Sequence, residues 1–325
     1  MIGVTGANGL LGSFIVRKLI AENERFIAFR RGSADTSLLR DVEDKIQWRE
    51  LDLQNPVTMD EALKDVTSVI HAAGLVSFDP RRSSLLSKVN TEGTRHLVNA
   101  CLAHGIKRFV HISSVAALGR TKGQTHIDER NKWEENSLNT SYAISKYLAE
   151  LEVFRAQEEG LHTVVLNPSV ILAPADEGRS SARLFAYVWR QQLFYAEGSL
   201  NWVDVRDVAT AAWKLLHSGT ENERFIVNAG AVSYKEFFDA VAVRFGRRPP
   251  GVKLNKNLLK IVSGVETVRA WINRSEPLIT PETARLAGTH FLYENNKIKK
   301  TLQLEFHSME NTLDWCCQYF RQKFA

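Results

Sequence analysis

A short apolar run, "IGVT", feeds directly into "GANGLLG" and then into the apolar helical stretch "GSFIVRKLIAE". No other feature constrains the fold as strongly. Gly6, Gly9 and Gly12 fall at the first strand–helix junction, where a dinucleotide's pyrophosphate needs a tight turn, close backbone approach and a helix N-terminus aimed at it. Glycine supplies the turn and the approach because it has no Cβ. Gly3 also fits the three-residue spacing, but starting there would leave almost no strand before the loop. Gly6, Asn8, Gly9, Leu10 and Gly12 are therefore the candidate pyrophosphate-binding set. An ordinary glycine turn is the alternative, and the strand–helix context argues against it.

The rest of the first two-thirds repeats the strand–helix alternation. "RFIAF", "IQWREL", "SVIHAA", "RFVHIS" and "HTVVLN" read as strands, separated by "VTMDEALKD", "NTEGTRHLVNACLAHG" and "YAISKYLAELEVFRAQEEG" as helices. In the last of these Ile144, Leu148, Leu151 and Phe154 form an apolar stripe, and Gly160 is a stop signal. The alternation predicts an α/β, Rossmann-type doubly wound parallel sheet. Beyond about residue 170 it decays, and a smaller, mostly helical C-terminal substrate lobe is expected. The boundaries are 1–170 for the dinucleotide-binding domain, with 202–230 returning to it, and 171–201 plus 231–325 for the lobe.

At the end of the second strand an acidic residue would grip the ribose 2′-hydroxyl of NAD. "RFIAFRRGS" puts Arg30 and Arg31 there instead. A guanidinium can bind a 2′-phosphate bidentately, so NADP is favoured, with NAD as the alternative and solvated arginines as the plain reading. Asp52, followed by Leu53, could receive the adenine amino group, and Ala72, Ala73 and Gly74 would pass beside the cofactor.

Tyrosine precedes lysine by four residues three times: Tyr142–Lys146, Tyr293–Lys297 and Tyr319–Lys323. Such spacing shares a helical face, and context separates the three. "YFRQK" lies in the terminal helix, and "YENNK" lies in a polar, turn-like stretch. "SYAISK" opens the helix after "HISSVAALG", whose serines Ser113 and Ser114 sit at a strand's carboxyl end, where doubly wound sheets hold their ligands. A phenol near pKa 10 is a poor base at pH 7, and moving it by ~3 units needs about 4 kcal/mol. Lys146, one turn away, can help, together with a cationic nicotinamide, while a serine holds the substrate oxygen.

With "TGANGLLG", "LDL", "HAAG", "VNTEGT", "HISSVAALG", "SYAISKYLAE", "NPSVILAP" and "WVDVRDVA" in order over about the first 210 residues, the chain resembles the extended short-chain dehydrogenase/reductase family. It looks most like the dihydroflavonol reductase and cinnamoyl-CoA reductase branch, with 3β-hydroxysteroid dehydrogenases nearby. The resemblance implies Ser114, Tyr142 and Lys146 as a catalytic triad, Asn90 as a structural asparagine, and Ser113, Pro168 and Val170 as further cofactor contacts. Ala173 departs from the pattern, which tends to have glycine before Pro174. "SSV" lacks the acid that sugar-nucleotide 4,6-dehydratases resemble at that point.

The implied activity is an NADP-dependent oxidoreductase acting on a carbonyl or secondary alcohol of a small organic molecule. The alternatives are a sugar-nucleotide epimerase with retained cofactor and a non-catalytic NADP-sensing protein. No Walker lysine, G-x-S-x-G or H-E-x-x-H is present. The aromatic run Phe185, Tyr187, Trp189, Phe194, Tyr195 and Trp202 is either a pocket for an apolar substrate or lobe core. Arg179 and Arg183 could instead clamp a diphosphate.

The net charge of +5 is dispersed in scattered pairs, which gives no basis for a nucleic-acid partner. No apolar run reaches about 18 residues, so no membrane span is expected. "MIGVTG" leaves no room for a signal peptide. The three cysteines, Cys101, Cys316 and Cys317, look unpaired, and no metal-binding spacing occurs. A cytoplasmic protein is expected, with self-association into a homodimer left open.

Overall fold

The alternation of strands and helices resolves into one seven-stranded parallel sheet in a computed structural model. It describes residues 1–121, 123–176, 181–254, 282 and 288–324. The strands are β1 (Ile2–Thr5), β2 (Phe26–Arg30), β3 (Trp48–Glu50), β4 (Ser68–His71), β5 (Arg108–Ile112), β6 (Thr163–Pro168) and β7 (Glu223–Val227), in the order β7-β6-β5-β4-β1-β2-β3. Strand order reverses between β1 and β4, the topological switch point of a doubly wound sheet. The glycine loop after β1 and the Ala72–Gly74 segment after β4 therefore meet at one crevice.

Helices cover both faces, which is why β1, β5 and β6 are buried along their whole length. The main helices among the described residues are α1 (Leu10–Ala21), α2 (Val57–Ala62), α3 (Gly93–Ala103), α4 (Ser141–Glu158), α5 (Ala182–Trp189), α6 (Val205–His217), α7 (Tyr234–Phe245), α8 (Asn296–Leu302) and α9 (Met309–Phe324). On one face Ile15 and Leu19 of α1, Val208 and Leu215 of α6 and Ile298 of α8 pack on Val4, Ile70 and Val110. On the other, Met59 of α2, Leu97 and Cys101 of α3 and Val153 of α4 pack on Phe29, Val69, Phe109 and Val165. Both β7 and α6 thus belong to the sheet layers. The neighbouring strand Ser199–Asp204 joins Val170–Leu172 and Gly230–Ser233 in a separate three-stranded sheet.

The smaller lobe is built from α5, α7 and α9 around Phe185, Phe237 and Phe320. Trp189 meets Phe245 and Phe320 edge-on, and Trp202 is buried in the same cluster. Most of the aromatic run is therefore lobe core. Phe194, 40% exposed, is the exception. All three cysteines are buried and free.

One pattern is inverted. In α4 the stripe Ile144, Leu148 and Leu151 faces outward, with exposures of 43%, 37% and 42%. The buried face carries Tyr142, Ser145, Lys146, Glu150, Val153 and Ala156. Apolar periodicity alone would have turned this helix the wrong way. Hydrogen bonds anchor the polar face instead: Asn90 Nδ2 donates to Ser145 Oγ at 2.9 Å, and Thr91 Oγ1 donates to the Ser145 carbonyl at 3.1 Å. Among the described residues no helix is long and apolar enough to cross a membrane, and no cluster of metal-ligating side chains occurs.

Candidate active site

The loop between β1 and α1 closes through Gly9 N–H donating to Gly6 O at 2.9 Å. Gly6 has φ +66°, a region that L side chains rarely adopt. A Cβ on Gly6 would lie 2.6 Å from the Ala73 backbone, and one on Gly12 would lie 2.0 Å from Gly6 O. The glycines let the loop, the start of α1 and the Ala72–Ala73 strand end nest together. No side chain caps Gly9, and no acidic residue sits in the first turn of α1. Its orphan N–H groups and positive dipole end stay available for an anion, so these residues fit a dinucleotide pyrophosphate. Leu10 opens that helix, and Asn8 Nδ2 donates to the Asp35 carbonyl at 3.1 Å, tying the loop to the segment after β2.

Arg30 closes β2 with its guanidinium over the Trp48 ring at 5.1 Å, and Arg31 beside it is exposed. Asp52 Oδ1 accepts from Gln54 N–H at 2.9 Å, so it shapes the turn after β3, and the Leu53 carbonyl pairs with His96 Nδ1 at 2.9 Å. Ala73 N–H donates to Thr5 Oγ1 at 3.3 Å. Asn90 clamps Leu75, accepting from its N–H at 2.7 Å and donating back to its carbonyl at 2.9 Å. A Cβ on Gly74 would lie 3.9 Å from Lys146 Nζ, which puts this segment against the α4 side chains. Pro168 ends β6 in a buried position, while Val170 is 37% exposed.

Ser114, Tyr142 and Lys146 converge at the carboxyl end of β5. Ser114 starts a short turn there, its Oγ accepting from Ala116 N–H at 3.2 Å. Its side chain faces the Tyr142 phenol. Thr140 caps α4 by accepting from Ala143 N–H, which fixes Tyr142 in the first turn. Burial holds the phenol above its ordinary pKa, opposed by the nearby Ser114 hydroxyl. The protein's own groups thus keep Tyr142 protonated. Lys146 Nζ donates to the Ile112 carbonyl at 2.8 Å, and burial pushes its pKa down to about 8 against the pull of Glu150. Phe78 lies edge-on to Tyr142 at 5.7 Å, and Trp133 joins the apolar cluster around Tyr142 while stacking on Tyr147 at 4.3 Å.

The other two tyrosine–lysine pairs lie elsewhere. Tyr293 is buried in a short strand, its hydroxyl accepting from Arg120 Nε at 2.9 Å, and Lys297 pairs with Glu223. Tyr319 and Lys323 both engage Asp176. Arg179 lies outside the described residues.

A sequence model described as the NAD dependent epimerase/dehydratase family matches residues 2–230. The chain belongs to that family. Among its relatives is a Synechocystis sp. protein provisionally named dihydroflavonol 4-reductase, 27% identical over 98% of this chain and 94% of that one. Cinnamoyl-CoA reductase 1 of Arabidopsis thaliana is 26% identical over 76% of this chain and 75% of its own length. The crystal structure of gox2253 superposes with a TM-score of 0.85 at 30% identity, covering 100% of this chain and 98% of that one. The chain is thus an NAD(P)-dependent enzyme of the extended short-chain dehydrogenase/reductase type, in the branch its sequence resembles.

Four features of the candidate site escaped the sequence reading: Phe78, Trp133, the buried Glu150, and a histidine pair, His71 and His111, with ring centroids 5.2 Å apart. Glu150 continues the four-residue spacing of Tyr142 and Lys146, a signal that was available. Nothing in the linear pattern could bring Phe78 or Trp133 to the phenol, because each arrives from its own loop.

Proposed function

We propose that this chain is an NADP-dependent carbonyl reductase in which Ser114, Tyr142 and Lys146 act together on an apolar or aromatic carbonyl compound. The observation that carries this reading is that Tyr142 and Lys146 share the buried face of α4 and meet Ser114 at the carboxyl end of β5, where Lys146 Nζ donates to the Ile112 carbonyl. When bound, the nicotinamide supplies the hydride. Ser114 holds the carbonyl oxygen by donating its hydroxyl proton, while its Oγ accepts from Ala116 N–H. Tyr142 gives its proton to that oxygen as charge develops there, and the Lys146 ammonium offsets the phenolate left behind. Arg30, braced on Trp48 at the end of β2 with Glu50 opposite it on β3, supports a 2′-phosphate and hence NADP. Phe78 and Trp133 support an apolar substrate, taking the part first considered for the 185–202 aromatics.

The test is a panel of aromatic aldehydes, ketones and UDP-glucose with NADPH and NADH, followed by single-turnover hydride transfer in variants. Tyr142→Phe is expected to lose about 10²–10⁴-fold in rate. Tyr293→Phe and Tyr319→Phe are expected to stay within a few-fold. A Tyr142→Phe enzyme as fast as wild type would refute the acid assignment, and epimerisation of UDP-glucose without carbonyl reduction would refute the substrate class.

A further inference from the structure

Helix α4 carries a third buried polar group in line with the pair. Tyr142, Lys146 and Glu150 are spaced by four residues and share a face, and Glu150 is completely buried. A carboxylate at such depth is strongly unfavourable unless it is paired. Its Oε1 accepts from Asn167 Nδ2 at 2.5 Å, and its Oε2 lies 3.7 Å from Arg224 Nη1. Asn167 Nδ2 also donates to the Ser114 carbonyl at 3.0 Å. Arg224 is fixed by donating to the Glu129 and Asn131 carbonyls, each at 2.7 Å. The Glu129 carboxylate is itself engaged, accepting from Ile226 N–H at 2.9 Å.

The other titratable groups facing Lys146 are His71 on β4 and His111 on β5. Burial and the Lys146 charge push both imidazoles well down, so both are neutral and offer the ammonium no compensation. Glu150 is the carboxylate that opposes the desolvation of Lys146. Burial raises the Glu150 carboxyl above its ordinary range, held back in part by Ser113, Arg224, Asn167 and Lys146, although Glu150 Oε2 and Ser113 Oγ make no hydrogen bond.

We infer that Glu150 is a positioning residue of the reaction: its buried carboxylate keeps Lys146 charged and, through Asn167, ties the Ser114 backbone to the helix that carries Tyr142. The inference rests on the Ser114–Tyr142–Lys146 reading. Removing an anion beside a cation makes the first proton of the Lys146–Tyr142 pair easier to lose. Reduction requires both protons in place, so the alkaline limb of the rate profile must move to lower pH.

The experiment follows the ¹³Cε resonance of Lys146 against pH in full-length wild type, Glu150→Gln and Glu150→Asp, with single-turnover reduction of 4-nitrobenzaldehyde by NADPH alongside. Glu150→Gln is expected to move the Lys146 midpoint and the alkaline limb down by ~1 pH unit, giving about tenfold less activity above the new limb. Glu150→Asp, which keeps the charge, is expected to hold both near their wild-type positions. A Glu150→Gln protein that is slower at every pH, with an unmoved Lys146 midpoint, would overturn the inference. If Glu150→Gln does not fold, the ¹³Cδ shift of Glu150 in the wild type decides. An ionised carboxylate throughout neutral pH supports the inference, and a protonated one overturns it. A Tyr142→Phe enzyme that reduces the aldehyde at the wild-type rate removes the triad reading and this inference with it. An inactive Tyr142→Phe beside an unmoved midpoint removes the inference alone.

Discussion

Replacing Gly12 by alanine sets two physical effects against each other, and the structure decides the sign. Gly12 is the third residue of α1, where alanine's helix propensity would favour the substitution by about 1 kcal/mol. Its Cβ, however, would sit 2.0 Å from Gly6 O, 2.7 Å from Gly6 C and 2.9 Å from Ala7 Cα. A carbon and a carbonyl oxygen approach only to roughly 3.3 Å, so the loop must retreat by about an ångström. Gly6 has little room to do so, because its other side rests on the Ala72–Ala73 backbone and its carbonyl already accepts from Gly9. Losing that hydrogen bond costs about 1 kcal/mol, and forcing atoms into packed space costs about 1–3. After the propensity gain, the net loss is ~2 kcal/mol, equivalent to a fall of about 3 °C in Tm for a chain of this length. The same retreat spoils the pyrophosphate cradle, so NADP affinity is expected to fall at least about tenfold, more than the stability loss alone would suggest. Calorimetric melting and titration of NADP read the two effects separately. An alanine variant with unchanged or raised Tm and unchanged NADP affinity would refute the packing argument.

Further outcomes follow from the same geometry. Changing Arg30 and Arg31 together to alanine is expected to weaken NADP by about 2–3 kcal/mol, as for a charged hydrogen bond lost, and to leave NAD almost untouched; equal losses for both by titration calorimetry would contradict this. Lys146→Met is expected to lose activity yet gain about 1–2 kcal/mol of stability at pH 7. Burial holds the folded pKa near 8 against 10.5, so the cost of the buried charge is full below pH 8 and fades toward 10.5; a variant less stable than wild type at pH 7 in urea would count against it. His71 sits near pKa 3 in the fold against 6.5 when free, so the unfolded chain binds the extra proton in that window. Its contribution is complete above pH 6.5 and falls by about 2–3 kcal/mol on acidification to about pH 4.5; His71→Gln should lose less stability over that range, and equal acid sensitivity would exclude this source.

The chain's local grammar carried most of the architecture. Apart from the polar edge strand β3, each strand of the main sheet sits within a residue or two of an apolar run, since a strand buried on both faces must be apolar along its length. The glycine loop and the Ser113–Ser114 strand end are local too, as each needs only a turn or strand terminus at a fixed place in the chain. Even the choice among three tyrosine–lysine pairs followed from which helix comes after which strand.

What only the tertiary structure decided depends on residues far apart in sequence. The apolar residues of α4 predicted its inner face, yet the helix turned Lys146 and Glu150 inward, because Asn90, Thr91, Asn167 and Arg224 supply the partners that make a polar face bury. Phe78 reaches Tyr142 across 63 intervening positions, while most of the aromatic run around residue 190 sank into the lobe core. Side-chain periodicity records what a residue would cost if left unpaired. Whether a partner arrives is settled by strands and loops that the local sequence does not contain, and here that difference separates a solvent-facing charge from a buried one.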